Sequence, residues 1–251
     1  FIEPEDVLQL GNALREIESL ERSEVQRILT KLSSQVGAQA HEIAKGIETA
    51  AELDVILARA RLAYAMNAEE PELLQNPRIE IEGGRHPLLD PAIAVPLEFS
   101  AGVGDSVLIT GPNTGGKTVA IKTIGMFVLM AQTGMWPPAK RLRLGPFRQI
   151  WADIGDEQSM SQSLSTFSGH VKNIAEALRD LKPGALVLLD EVGAGTDPAE
   201  GAALAKSVLL EAHERGACIL ASTHYGELKA FAYETPGFQN AAMEFDAKTL
   251  R

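Results

Sequence analysis

Cysteine is nearly absent from this 251-residue sequence: Cys218 is the single one, which excludes an internal disulfide framework. It stands in the apolar run Ala217-Cys218-Ile219-Leu220-Ala221, which reads as a buried strand, so a small-hydrophobe role is expected rather than a reactive thiol. A reducing cytoplasm fits. No apolar run reaches the roughly 18 residues needed to span a bilayer, and the acidic N-terminal stretch lacks the basic-then-apolar layout of a signal peptide. No membrane partner is expected. Positive charge is in deficit, with 23 Lys and Arg against 34 Asp and Glu, a net charge of -11. That sign excludes a surface gripping nucleic acid over its whole extent, so any contact with DNA or RNA must be local. Internal repeats and low-complexity tracts are missing as well.

What remains has an ordinary globular composition, 45% apolar and 23% charged, with enough apolar material for a sizeable core. The acidity is uneven: residues 1–75 carry 14 acidic and 7 basic side chains, a net -7 that leaves -4 for the rest. Within 1–75, apolar residues recur three or four apart, from Val7, Leu10, Leu14 and Ile17 to Leu32 and Val36, then from Ile43 and Ile47 to Tyr64. This spacing predicts amphipathic helices, with Gly37 as a break or a weak point and a stop before Pro71. So narrow a stripe makes no core alone, and a lever or coiled coil and a plain helical subdomain are equally compatible with it.

The pattern changes near residue 76. From there, apolar strands at 107–110, 149–153, 186–190 and 218–222 alternate with helical patterns at 117–131, 167–181 and 199–214. An α/β domain over 76–251 with a mostly parallel central sheet is the expectation. Lys140, Arg141, Arg143 and Arg148 form a basic cluster. Because Leu142 and Leu144 alternate with the arginines on a strand, the cluster reads as a solvated face rather than a nucleic-acid patch.

Gly111-Pro112-Asn113-Thr114-Gly115-Gly116-Lys117-Thr118 fits G-x-x-x-x-G-K-[ST] between an apolar strand and a helix. Glycines let the backbone wrap phosphate oxygens, Lys117 reaches the β- and γ-phosphates and Thr118 ligates Mg²⁺, so ATP and Mg²⁺ are the expected cofactors. Val119, the next residue of the helix, is placed with them. The strand Leu186-Val187-Leu188-Leu189 ends in Asp190-Glu191. A strand ending in acids can simply meet solvent. Following the loop, however, Asp190 is expected in the magnesium shell and Glu191 as the base that polarises the attacking water. His224 follows the strand 218–222 and is expected at the same sheet edge, facing the γ-phosphate, where a lone histidine is otherwise just a satisfied surface or core residue. His41, His170 and His213 carry no catalytic expectation. Ser165 and Thr166 precede a helical run, where a helix cap and an anion site are both open readings.

Gly84-Arg85-His86-Pro87, the loop 111–118, Ser165-Thr166-Phe167, Leu189-Asp190-Glu191 and Ser222-Thr223-His224-Tyr225 stand in the order found in MutS-type ATPases. Over essentially its whole length the chain resembles that family, most closely its second bacterial branch, in which an Smr nuclease domain usually follows. The resemblance implies an ABC-type P-loop ATPase homodimer with two composite sites, Ser165 touching the γ-phosphate held by the other subunit and Thr196-Asp197 lying along the interface. It further implies lever and core helices over 1–75, and ATP occupancy coupled to movement on branched or recombining DNA, suppressing recombination, or on stalled ribosomes. Pro91–Val95 stands where mismatch-repair relatives place an aromatic against adenine. The chain resembles a fragment, starting inside a family motif and stopping before the expected C-terminal helices, with no nuclease activity of its own. A transporter ATPase would carry Leu-Ser-Gly-Gly-Gln where Ser165-Thr166-Phe167 stands. A dimerisation switch with little turnover is the alternative to an ATPase.

Overall fold

The structure, a computed structural model, describes residues 4–111, 116–155 and 163–243, the side chains of 163–168 excepted. It divides into two units, 1–58 and 59–251. The first consists of α1 (Glu5–Ala38) and most of α2 (Ala40–Ala65). Helix α1 runs through Gly37 and ends at Gln39, whose backbone leaves the helical region. From residue 4 to 58 every described side chain is exposed, Gly11 alone being intermediate. The apolar stripe therefore has no partner inside its own unit, and its packing gives no support to a lever.

In the second unit the helix-to-strand change falls between the end of α2 and β1 (Glu72–Leu73). Strands β2 (Arg78–Gly84), β3 (Leu97–Gly102) and β5 (Arg141–Leu144) join β1 in a four-stranded sheet of order β1-β5-β2-β3, and β2 is antiparallel to both of its neighbours. Its inner face is read off the alternation: Ile79, Ile81, Leu142 and Leu144 are buried, while the residues between them face out, as a one-sided sheet requires. On the outer face Arg143 Nε donates to Glu72 at 3.0 Å and its Nη1 to Glu80 at 2.7 Å. Arg78 also donates to Glu80, and Arg141 lies 3.6 Å from both Glu72 and Glu82. Hydrogen bonds from Arg78 and then Arg143 hold the Glu80 carboxyl below the usual range. Arg141 and Arg143 of the basic cluster are thus matched by carboxylates on neighbouring strands.

The second sheet has order β6-β7-β8-β4-β9, from β4 (Ser106–Thr110), β6 (Gln149–Asp153), β7 (Ala185–Leu189), β8 (Cys218–Thr223) and β9 (Phe238–Ala242). Every pairing in it is parallel. All residues of β7 and β8 are buried, the uninterrupted pattern of strands covered on both faces. Helix α3 (Lys117–Gln132) supplies one cover: Ile121, Ile124, Phe127 and Val128 form a single cluster with Ile79, Ile81, Leu142 and Leu144 of the first sheet and Leu186, Leu188 and Leu220 of the second. The other face packs against α4 (Ser163–Asp180), α5 (Pro198–Glu214) and α6 (Gly226–Glu234), with Val208, Leu209, Ala212, Leu228 and Ala232 buried there. Fully burying one large apolar side chain contributes about 1.5–3 kcal/mol, against about 0–1 kcal/mol for an exposed ion pair. The two apolar layers, not the arginine ladder, hold the unit together. Cys218 lies among them, and burial pushes its thiol up to about 12.

Candidate nucleotide site

Parallel strands place all their C-terminal ends on one edge, and in open α/β sheets that edge receives ligands. Here it gathers the ends of β6, β7, β8 and β4, with Asp153 level with Leu189 and Thr110 level with Thr223. After β4 the chain enters the glycine loop. Gly111 has φ +140° and Gly116 φ +75°, conformations that side chains with a Cβ rarely adopt. Pro112, Asn113, Thr114 and Gly115 lie outside the described residues. Lys117 opens α3, is only 2% exposed, and donates from Nζ to Gly111 O at 2.6 Å. The ammonium is thereby held at the first residue of the loop. Thr118 donates from Oγ1 to Asp190 Oδ2 at 2.6 Å, joining the loop to a residue 72 positions later. Val119 is exposed on the same first turn.

Asp190 and Glu191 leave β7 through a tight turn in which Glu191 has φ +48°, a left-handed conformation uncommon outside glycine and asparagine. Ser222, at the end of β8, holds this turn. Its hydroxyl donates to Asp190 Oδ1 and accepts the Glu191 N–H at 2.8 Å, while its carbonyl accepts from Val192 N at 3.1 Å. The Asp190 N–H donates to Asp153 O at 2.9 Å. Ser222 was not legible as part of the site: it ends a strand read only as apolar, and its place in Ser222-Thr223-His224 was the one available signal. Ser222→Ala is expected to destabilise the unit by about 1–3 kcal/mol, because two polar groups lose their partner. For a domain of this size that is a fall in melting temperature of roughly 2–12 °C, measurable by calorimetry.

His224 is exposed beyond β8, its ring 4.3 Å from that of Tyr225. Tyr225 OH in turn donates to Gly193 O at 3.0 Å, tying this loop to the one that follows Glu191. Thr196 and Asp197 immediately precede α5. Asp197 caps the helix by accepting from Ala199 N at 3.0 Å and Glu200 N at 3.4 Å. Ser165 belongs to the start of α4, and its side chain lies outside the described residues, as do those of Thr166 and Phe167. Arg85 donates to the carbonyls of Pro91 and Ala94, fixing the 91–95 stretch with Ile93 and Val95 exposed and Ala94 buried. Burial, then the charge of Lys122, lowers the His86 pKa, favouring the neutral ring.

One side chain gains a partner that the sequence did not suggest: His170 Nδ1 lies 2.7 Å from Asp153 Oδ2. No described helix is long and apolar enough to cross a membrane.

The comparisons with known proteins agree with this architecture. Residues 107–250, more than half of the chain, match the family model for MutS domain V. The chain is 51% identical over 253 residues to an endonuclease MutS2 of Symbiobacterium thermophilum and 53% identical to one of Pelotomaculum thermopropionicum. A third, from Shouchella clausii, is 48% identical over 255 residues. Each alignment covers 100% of this chain and 32% of the relative, so the chain spans about a third of the length of the curated relatives it matches. Residues 107–250 are an ABC-type P-loop ATPase domain on a parallel sheet, and the chain belongs to the MutS family, in its MutS2 branch.

Proposed function

We propose that this chain binds ATP with Mg²⁺ and hydrolyses it, as the nucleotide-driven part of a protein that works on DNA. The observation that carries the reading is the 2.6 Å contact between Thr118 Oγ1 and Asp190 Oδ2, which joins the phosphate loop to the acidic strand end. A hydroxyl beside a carboxylate is the hard-oxygen pair that suits Mg²⁺, an ion usually held by one or two carboxylates together with water and substrate phosphates. When bound, the ion neutralises charge on the β- and γ-phosphates. No group of three or more His, Cys, Asp or Glu able to hold a metal occurs among the described residues, and a site completed by phosphates needs none.

Each side chain then has a distinct task. Lys117 exchanges the Gly111 carbonyl for phosphate oxygens, and Gly111, Gly116 and the loop 112–115 between them wrap the phosphates. Glu191 takes a proton from water as the water oxygen bonds to the γ-phosphorus. The bond from that phosphorus to the bridging oxygen breaks, and ADP leaves with the electron pair. His224 supplies a polar contact to the γ-phosphate. Ser165 serves the γ-phosphate of a second copy of the chain, so that two copies form two shared sites. The relatives are named endonucleases; action on branched or recombining DNA, or on stalled ribosomes, is proposed for the whole protein through regions outside these 251 residues.

The test is complementation. Lys117→Ala and Ser165→Ala proteins are each expected to lose most magnesium-dependent ATP hydrolysis. Mixed in equal amounts, they should recover roughly a quarter of wild-type turnover, since a random mixture leaves one site in four with both groups intact when each site needs both. No recovery on mixing would refute shared sites; hydrolysis unaffected by either change would refute the assignment of the loop.

A further inference from the structure

We propose that Asp153 is a positioning residue that ties α4 to the nucleotide-facing strand ends, with His170 as its grip on the helix. The inference rests on the ATPase reading for its consequence, though not for the tie itself. Asp153 ends β6 and bonds in two directions. Its main-chain carbonyl accepts the Asp190 N–H at 2.9 Å, so the backbone of one strand end holds the other. Its carboxylate faces α4, where Oδ2 meets His170 Nδ1 at 2.7 Å and Oδ1 meets Asn173 Nδ2 at a longer 3.5 Å. His170 and Asn173 are three residues apart and share one face of the helix.

The neighbouring backbone is shaped for the ring. A Cβ added at Gly155 would come within 3.1 Å of His170 Cε1, closer than most side-chain contacts, so this position leaves room for the imidazole. Farther along α4 the packing is incomplete. A cavity of about 170 Å³ lies between the helix and the sheet, lined among others by Ile174 and Leu178 of α4, by Leu181 just beyond its end and by Trp151, Val187 and Leu189. Trp151 Nε1 is buried with no hydrogen-bond partner among the described residues. An unfilled apolar seat forfeits dispersion contacts, and an unpaired buried donor loses the hydrogen bond it made to water. With its apolar face seated this loosely, α4 leans on polar ties: Arg215 Nη1 to Leu178 O and Gln149 Nε2 to Asp180 O at its C-terminal end, and the Asp153 clasp nearer its N-terminal end.

The clasp stands five residues beyond Ser165, about 7.5 Å along the axis at 1.5 Å per residue. A shift of the Asp190 backbone on one side of Asp153 is therefore passed to the helix that carries Ser165 on the other. His170 needs no contact with nucleotide for this; it acts through Asp153.

The test uses the whole chain and three substitutions. His170→Ala removes the donor, His170→Asn places an amide N–H close to the position of Nδ1, and His170→Gln places one near Nε2 instead. Hydrogen exchange without nucleotide should be about tenfold faster over 169–176 in His170→Ala, the scale of one lost hydrogen bond to a charged acceptor. Turnover should fall at least about fivefold in the same variant while affinity for a fluorescent ATP analogue stays within about twofold. His170→Asn should restore both readings and His170→Gln neither. Wild-type exchange in His170→Ala, or equal behaviour of Asn and Gln, would overturn the tie. A wild-type chain that fails to bind the analogue would overturn the ATPase reading alone, leaving the tie to be decided by exchange.

Discussion

Glu191→Gln is expected to lower magnesium-dependent ATP turnover by at least about 100-fold, the scale on which a general base contributes, while nucleotide still binds. Glutamine keeps the shape of the side chain but is neutral and cannot take the proton. The backbone that aims it is held independently of the carboxylate: Glu191 sits at φ +48°, with its amide donated to Ser222 Oγ at 2.8 Å. The substitution is therefore expected to leave the turn intact. A coupled ADP-release assay measures turnover and a fluorescent ATP analogue measures binding. Unchanged turnover would remove Glu191 from the role of base, whereas lost binding would show that the turn had failed to form.

Gly193→Ala is expected to be the most damaging single methyl group near the site. Gly193 has φ +86°, and a Cβ there would lie 2.4 Å from Gly201 O. The approach is reciprocal, since a Cβ on Gly201 would lie 2.3 Å from Gly193 O. The loop after Glu191 and the first turn of α5 cross with no room for a side chain, and Tyr225 OH completes the join by donating to Gly193 O. Left-handed backbone in a residue with a Cβ costs about 1–2 kcal/mol and overpacking about 1–3 kcal/mol. Together, at about 2–5 kcal/mol, they should lower the melting temperature by roughly 4–20 °C. Gly104→Ala is the control for backbone strain alone: its φ is +85°, yet nothing lies within 4 Å of the added Cβ. Calorimetry that showed equal losses for the two substitutions would mean that the crossing has room to relax.

Much of the C-terminal edge of the parallel sheet was legible because its residues are local in sequence. The loop 111–118 needs its glycines, lysine and threonine in one order, and an apolar strand running into Asp190-Glu191 says which end of the sheet bears charge. The fully buried β7 and β8 were equally plain, as unbroken runs of apolar residues. Helix α6 and strand β9 were not. The run Phe238–Ala242 is buried only at Phe238 and intermediate at Ala241, and it forms a strand because β4 offers it a parallel edge. Ser222 and the Asp153–His170 pair escaped for the same reason: their partners lie 32 and 17 residues away, across elements whose periodicity says nothing about which side chains meet. The packing division at residue 58 falls inside α2, where the helical pattern continues without interruption.

The lone thiol has a practical consequence. With Cys218 fully buried and its pKa pushed up to about 12, only on the order of one molecule in 10,000 carries a thiolate at pH 8, and the thiolate is the species that alkylating dyes attack. A cysteine introduced on the exposed face of α4 would then be the one residue to take a maleimide fluorophore, with no prior removal of native thiols. Paired with a second introduced cysteine beside β6, it would report the distance between helix and sheet directly, by energy transfer, as nucleotide is added.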